Sequence, residues 1–504
     1  MNRIKHIYDR LFWLVIILVG VVLINLAGGL FHARVDLTED KRYTLTNATR
    51  QIVSEVDAPI FIQVLLEGKF PPEFRRLPVA TRELLEQLKK LNNNIQYRFE
   101  DPLAGEKSEV QARLDSWAQV GIIPTELNVR DAEGQSRQRI YPFAIFNYGD
   151  RQVAINLLEE SGAANGDVAL NNSITLLEYK FVNAIAKLRA TNKPNILFTS
   201  GHGELNERQT LALESNLRAF YNTGRVNLDS VYQIPEEIAL LIIAKPMQTF
   251  SEKNLFVIDQ YIMNGGNVMF LVDPLVVSLD SIRVHGQYLP PDNDVGLDQM
   301  LFKYGARVNK NFVLDLNCTP IPLAINRPGG NPEYNLFKWY YNILAEGVGG
   351  HPIVKGLDPV NLSFPASIDT IKTGTVIHKT PLLQSSPYSR LQYNPVLLDF
   401  EILKTEPDQS KFNDGPQTVA LLLEGNFESV YKNRVSPGMQ TGLSQIGATY
   451  VEMGRPAKIL VVSDGDIARN GIDPTSGEIR DLGFNQYLNY TFANKPFLTN
   501  AVEY

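Results

Sequence analysis

Three short stretches carry the residue types that acid–base or metal chemistry needs: Gly201-His202-Gly203-Glu204, Asp273-Pro274 and Ser463-Asp464-Gly465-Asp466. Between them they offer one imidazole, His202, and four carboxylates, Glu204, Asp273, Asp464 and Asp466. Such a set suits a general acid/base pair or a divalent cation. Each stretch follows an apolar run that reads as a strand, and open α/β sheets bind ligands beyond the carboxyl ends of their strands. Each is also open to a structural reading, because Asp after a parallel strand commonly caps the next loop or helix. Gly-His-Gly-Glu is not a His-Glu-x-x-His helix, and no second histidine sits at ligand spacing. A nucleophile is harder still to place. No Gly-x-Ser-x-Gly elbow occurs, and Ser200 before Gly201 lacks the flanking pattern. The single cysteine, Cys318, reads as a small buried hydrophobe and excludes both a disulfide framework and a Cys-based zinc finger. No phosphate-binding Gly-x-x-x-x-Gly-Lys-Ser/Thr loop is present, and Gly201-x-Gly203 lacks the third glycine of a dinucleotide fingerprint. His285, His351 and His378 lie in loop-like contexts and read as solvated. The five strand-end residues read first as structural and second as contacts to a ligand or partner. No catalytic residue, resident metal or cofactor is expected.

The elements that would position these residues alternate along the chain. Asn195–Thr199, Ile238–Ala244, Asn267–Val272 and Lys458–Val462 are near-continuous apolar strands. Amphipathic helices lie between them, over 207–221, from the Ser251 cap to Met263, and over 297–304. This pattern predicts a mostly parallel, doubly wound, flavodoxin-like sheet across 193–504, with a proline-rich insertion of β character at about 320–415. The aromatic cluster in that insertion, Tyr334, Phe337, Trp339, Tyr340 and Tyr341, reads as core or interface. Upstream, Thr46 caps a short helix and Pro59 starts a strand at 60–66. Pro71-Pro72 then opens a helix, and Ile95–Phe99 reads as a second strand. Strand, helix and strand make a βαβ unit with a parallel pair. A helix at 106–119 and strands at 125–130 and 139–148, joined by a loop at 130–138, complete a first α/β domain over 34–158. A small-residue connector and linking helix fill 159–192.

Leu11–Phe31 is a run of about twenty residues broken only by Asn25, long enough at about 1.5 Å per residue to span a hydrocarbon core. Arg3, Lys5 and Arg10 before it favour a cytoplasmic N-terminus and an extracytoplasmic body. The run exceeds a typical signal-peptide core, so 1–33 is expected to be a retained anchor. Gly20, Ala27, Gly28 and Gly29 would allow close approach of a partner helix in the membrane. At 44% hydrophobic, 20% charged and net −7, the remaining body is ordinary globular protein without the basic stripe that nucleic acid requires.

Four stretches together resemble one family. They are Arg34-Val-Asp-Leu-Thr-Glu-Asp-Lys-Arg-Tyr-Thr-Leu45 after the apolar run, Leu66-Glu-Gly-Lys-Phe-Pro-Pro-Glu-Phe-Arg-Arg-Leu77, Thr199-Ser-Gly-His-Gly-Glu204, and Phe492-Ala-Asn-Lys-Pro-Phe-Leu-Thr-Asn-Ala501. They resemble the gliding-motility-associated ABC-transporter auxiliary proteins of Bacteroidota, the GldG family, often labelled substrate-binding. The resemblance covers nearly the whole chain. It implies a non-enzymatic accessory subunit with an ABC permease partner in the same inner membrane, a cytoplasmic ATPase behind it, and a body facing the periplasm. It also implies intraflagellar-transport-like and amidotransferase-like α/β domains without their catalytic residues. The subunit could be an oligomer within the complex. Family members normally carry a second span near the C-terminus, whereas this sequence stops at Tyr504. Two other readings remain open. One is a periplasmic hydrolase holding a divalent metal on His202, Glu204, Asp273 and Asp464. The other is a small-ligand binding protein with a pocket between its domains.

Overall fold

The computed structural model describes residues 45–504, apart from 69, 73, 120–121, 123, 132–133, 159–165, 191, 326–332, 404–406, 446 and 474. Leu11–Phe31, with Gly20, Ala27, Gly28 and Gly29, lies outside the described residues. Among the described residues no helix is long and apolar enough to cross a membrane. The chain divides into two compact units, one of residues up to Leu157 with Ser173–Ala186, the other of Leu158–Asn172 with Lys187–Tyr504.

In the first unit β1 (Ile60–Val64) pairs in parallel with β2 (Ile95–Phe99). The connecting helix, Arg76–Leu91, buries Leu77, Leu84, Leu85 and Leu88, a stripe at helical spacing. Asn92 follows that helix, and its amide reaches back to the carbonyls of Val53 and Val56 at 2.9 and 2.8 Å. Here the sequence expectation needs two corrections. The chain from Arg139 to Tyr148 is not one strand. β3 (Thr125–Asp131) and β4 (Gly134–Ile140) form a hairpin of their own. After Tyr141-Pro142, β5 (Phe143–Tyr148) joins the main sheet antiparallel to β1. Proline lacks the N–H that a continuous ladder would use, which is why the strand is cut there. β6 (Arg151–Asn156), too polar to be read from periodicity, pairs antiparallel with β5. The helix Gly166–Arg189 contributes Ser173–Ala186 to this unit, and its Phe181 meets Phe146 edge-on at 5.2 Å.

The second unit is built on five parallel strands: β7 (Asn195–Ser200), β8 (Asn222–Asn227), β9 (Ile238–Ala244), β10 (Asn267–Leu271) and Met453–Val462. Their spatial order is β8-β7-β9-β10 and then Met453–Val462. Counted along the chain this is 2-1-3-4-5, one of the common doubly wound orders. Side chains alternate between two cores, as period-two strands require. Ile242, Ala244, Met269, Leu271 and Leu460 enter one core, with Leu213 and Leu217 of the helix Glu207–Arg218. Leu241, Ile243, Val268, Phe270 and Val461 enter the other, with Val257 and Ile262 of the helix Glu252–Met263. Both faces are covered, which accounts for the apolar runs. The sheet continues beyond the parallel strands with a reversal. Thr418–Glu428 pairs antiparallel with Met453–Val462, and Ile377–Gln384, Glu333–Gly347 and Cys318–Ile325 follow, also antiparallel. An apolar run cannot distinguish parallel from antiparallel pairing once both faces are buried. Trp339, Tyr340 and Tyr341 pack in an inner cluster with Phe312 and Phe364, whereas Tyr334 is exposed.

The helix Glu207–Arg218 sets the loop after β7, and a capping box fixes its start. Asn206 Oδ1 accepts from the Gln209 N–H at 3.1 Å, and Gln209 Oε1 accepts from the Asn206 N–H at 3.0 Å. Asn206→Ala removes one acceptor and is expected to lower stability by about 1 kcal/mol, read as a shifted denaturant midpoint with unchanged slope.

Candidate functional site

The doubly wound order reverses between β7 and β9, so the carboxyl ends of β7, β9, β10 and Met453–Val462 form the crevice where ligands of such sheets bind. The structure places the five sequence-predicted residues there in two groups. His202 and Glu204 follow β7. Asp273, Asp464 and Asp466 gather around a residue that sequence reasoning passed over, Lys245 at the end of β9.

His202 is buried, its ring stacked on Phe250 with centroids 4.3 Å apart. Its carbonyl accepts from the N–H groups of Met247 and Gln248, both at 2.9 Å. Nε2 lies 2.9 Å from Asn254 Nδ2, which also donates to Asp229 Oδ1 at 2.7 Å. With that amide as donor, Nε2 is the accepting nitrogen and the proton is assigned to Nδ1. Nδ1 faces Glu204 Oε1 at 3.8 Å, and neither atom has a hydrogen-bond partner among the described residues. The other oxygen, Glu204 Oε2, accepts from the His202 N–H at 2.6 Å. Gly201 (φ 106°) and Gly203 (φ 75°) make the turn possible, since a Cβ on Gly201 would lie 2.8 Å from Asn227 Oδ1.

Lys245 occupies the second group. Its backbone lies at φ 55°, a conformation that costs a non-glycine residue and so marks a position held by its surroundings. The side chain is 9% exposed, and Nζ bonds Asp273 Oδ2 at 2.7 Å and Asp466 Oδ2 at 2.6 Å. Asp273 Oδ1 accepts from the Gly465 N–H at 2.5 Å. Asp464 accepts from the N–H groups of Asp466 at 2.8 Å and Ser363 at 2.7 Å. Arg469 Nε stands 3.0 Å from Asp466 Oδ1. Gly465 is required beside the lysine, because a Cβ there would lie 2.7 Å from Lys245 Cβ. Burial alone would push the Lys245 ammonium down, but the Asp273 and Asp466 carboxylates outweigh it and hold the group well up. Asp464 moves well above the usual carboxylate range, first through burial and then through the charges of Asp273 and Asp466.

The metal-holding set His202, Glu204, Asp273 and Asp464 is not brought together among the described residues. His202 is turned to Asn254 and Asp229, while Asp273 and Asp466 share an internal cation. Among the described residues no group of three or more His, Cys, Asp or Glu is placed to hold a metal ion. Ser463 lies at the strand end, but its hydroxyl donates to the Ala366 carbonyl at 2.5 Å. Burial pushes the Cys318 thiol up to about 12, which keeps it from the thiolate form a nucleophile needs. Lys245 was the residue to find. It follows directly on the apolar run Ile238–Ala244 and precedes Pro246, so the rule that selected the other strand ends also selects it.

The second unit is thus a doubly wound α/β body whose strand-end crevice is occupied by its own lysine and two aspartates. Residues 193–501 match the family described as an ABC-type uncharacterized transport system, and the chain belongs to that family as an auxiliary component. Residues 39–147 match a domain of unknown function. An uncharacterized protein of Borreliella burgdorferi is 22% identical over 463 residues, covering 87% of this chain and 82% of that protein. Among solved structures, the mmIFT52 N-terminal domain aligns at 14% identity with a TM-score of 0.32, over 61% of this chain and 95% of that one. An exo-β-1,4-mannosidase from an Opitutaceae bacterium aligns at 10% identity and a TM-score of 0.21, over 78% and 46%. TM-scores of this size bear on neither fold nor function.

Proposed function

We propose that this chain is a non-enzymatic, membrane-anchored accessory subunit of an ABC transport complex of the gliding-motility type found in Bacteroidota. Leu11–Phe31 packs against a permease in the inner membrane. The permease couples the chain to a cytoplasmic ATPase, and the two α/β units stand in the periplasm. The second unit is read as a flavodoxin-like and amidotransferase-like sheet whose site has been given over to structure. The observation that carries the non-enzymatic reading is Lys245. Its ammonium fills the crevice where chemistry on such a sheet would occur, and both its carboxylate partners are committed to it. Family membership supports the transport partner. The apolar run with its preceding basic residues supports the anchor and its orientation.

Photo-crosslinking from inside the membrane run tests the packing. With p-benzoylphenylalanine at Gly20, irradiation of the native membrane is expected to join the chain to an ABC permease. Adducts to lipid alone, with the same result at Gly28, would overturn the packing.

A further inference from the structure

Lys245 and its carboxylate partners occupy the carboxyl-end crevice, but the opposite end of the same sheet carries a cleft of about 980 Å³. Its position follows from the register. Glu428 pairs with Met453, the first residue of the last parallel strand, so the segment Ser429–Arg434 that leaves Glu428 stands at the amino edge. That segment forms one wall of the cleft. The helix Asp298–Tyr304 and the stretches 307–310 and 372–374 supply the others.

In a chain of net charge −7, six cations line this one cleft: Lys303, Arg307, Lys310, Lys372, Lys432 and Arg434. Asp298 is the acid among the described lining residues. Four of the cations have acidic partners around the rim. Lys303 and Lys432 share Glu428, Arg307 meets Asp369, and Lys310 meets Asp292. Lys372 and Arg434 are exposed and have no ion-pair partner among the described residues. An apolar side completes the lining, with the half-exposed ring of Phe302 and the part-buried Val308 and Val430. The wall is built to keep its shape. Asp259, fully buried, accepts from the Ser429 hydroxyl at 2.7 Å and the Val430 N–H at 2.8 Å.

We infer that this cleft binds a phosphate ester with an apolar body, the phosphate taken by Lys372 and Arg434 and the body laid on Phe302 and Val308. The volume is that of a small-ligand site, and a guanidinium with an ammonium is a usual phosphate pair. A bare polyanion would leave the apolar side unused. The phosphate could belong to a soluble metabolite or to a lipid headgroup, and the test separates them. This inference is independent of the permease, since the titration reads the cleft whether or not a crosslink forms at Gly20.

The full-length chain in non-ionic detergent is titrated calorimetrically with phenyl phosphate and, separately, with dihexanoyl-phosphatidylglycerol. At least one is expected to bind saturably, more weakly as salt rises. Binding of phenyl phosphate identifies the soluble source, and binding of the lipid alone identifies a headgroup. The double variant Lys372→Glu/Arg434→Glu is expected to weaken binding by at least about tenfold with the melting temperature unchanged. Lys372→Gln/Arg434→Gln repeats the test without charge reversal. Saturable binding of neither probe, or equal binding by the variants, would overturn the inference.

Discussion

Lys245→Met is expected to lower the stability of the second unit by about 3–5 kcal/mol at neutral pH, the cost of removing one partner from a buried ion pair. Methionine matches the length of the lysine stem, so the loss reflects charge more than volume. Asp273 is left buried beside the Asp466 carboxylate, with the Gly465 N–H as its remaining hydrogen-bond donor among the described residues. The sign of the pH dependence follows. Without the ammonium, the folded-state pKa of Asp273 rises further above the unfolded value of about 3.9. A carboxylate raised in the folded state binds its proton more tightly there than in the unfolded chain. Stability is therefore lost as pH climbs from about 4 towards the folded pKa. The deficit of the variant should be largest at pH 7 and narrow towards pH 4.5, which denaturant midpoints at the two pH values measure directly. Adding Asp273→Asn to the variant should return more than half of the loss, since the uncompensated charge is gone. A deficit independent of pH would mean that Lys245 acts by packing alone.

Asp259→Ala is expected to be nearly as costly, at about 3 kcal/mol, because it orphans donors that water cannot reach. Asp259 lies on the helix Glu252–Met263 and is fully buried. It accepts from the hydroxyls of Tyr304 and Ser429, both at 2.7 Å. The Val430 N–H donates at 2.8 Å and the Gln260 amide at 2.9 Å. Burial still raises its pKa, with the four donors opposing. The Val430 N–H cannot turn away to find another acceptor, whereas the two hydroxyls can. A calorimetric melt should show the loss, and faster amide exchange at Val430 and Tyr431 should show that the cleft wall has loosened. An unchanged exchange rate there would separate Asp259 from the wall.

Legibility of the chain in its sequence followed burial and charge. Ile238–Ala244 and Asn267–Leu271 announce themselves because both their faces are covered, and Ile60–Val64 because Pro59 precedes it. The strand Asn222–Asn227 has no counterpart in the sequence reading, where the helix before it runs to Tyr221. It lies at the sheet edge with residues Asn-Thr-Gly-Arg-Val-Asn, which carry no apolar run to detect. The reversal at Thr418–Glu428 was invisible for the opposite reason, since the strand is apolar whichever way it pairs. Among the site residues, His202, Glu204, Asp273, Asp464 and Asp466 were selected by the strand-end rule. Their division into two groups was not legible, because Asn254 and Lys245, which separate them, are far from them along the chain. The basic cleft was hidden altogether, since its cations come from four separate stretches between Lys303 and Arg434.

The central claim, an accessory subunit rather than an enzyme, is tested most directly by purifying the full-length chain from its native membrane in mild detergent and identifying what remains bound. The account predicts an ABC permease and its ATPase in fixed proportion, both lost when Leu11–Phe31 is exchanged for an unrelated span. Recovery of the chain alone, carrying stoichiometric metal that disappears in His202→Ala, would contradict it.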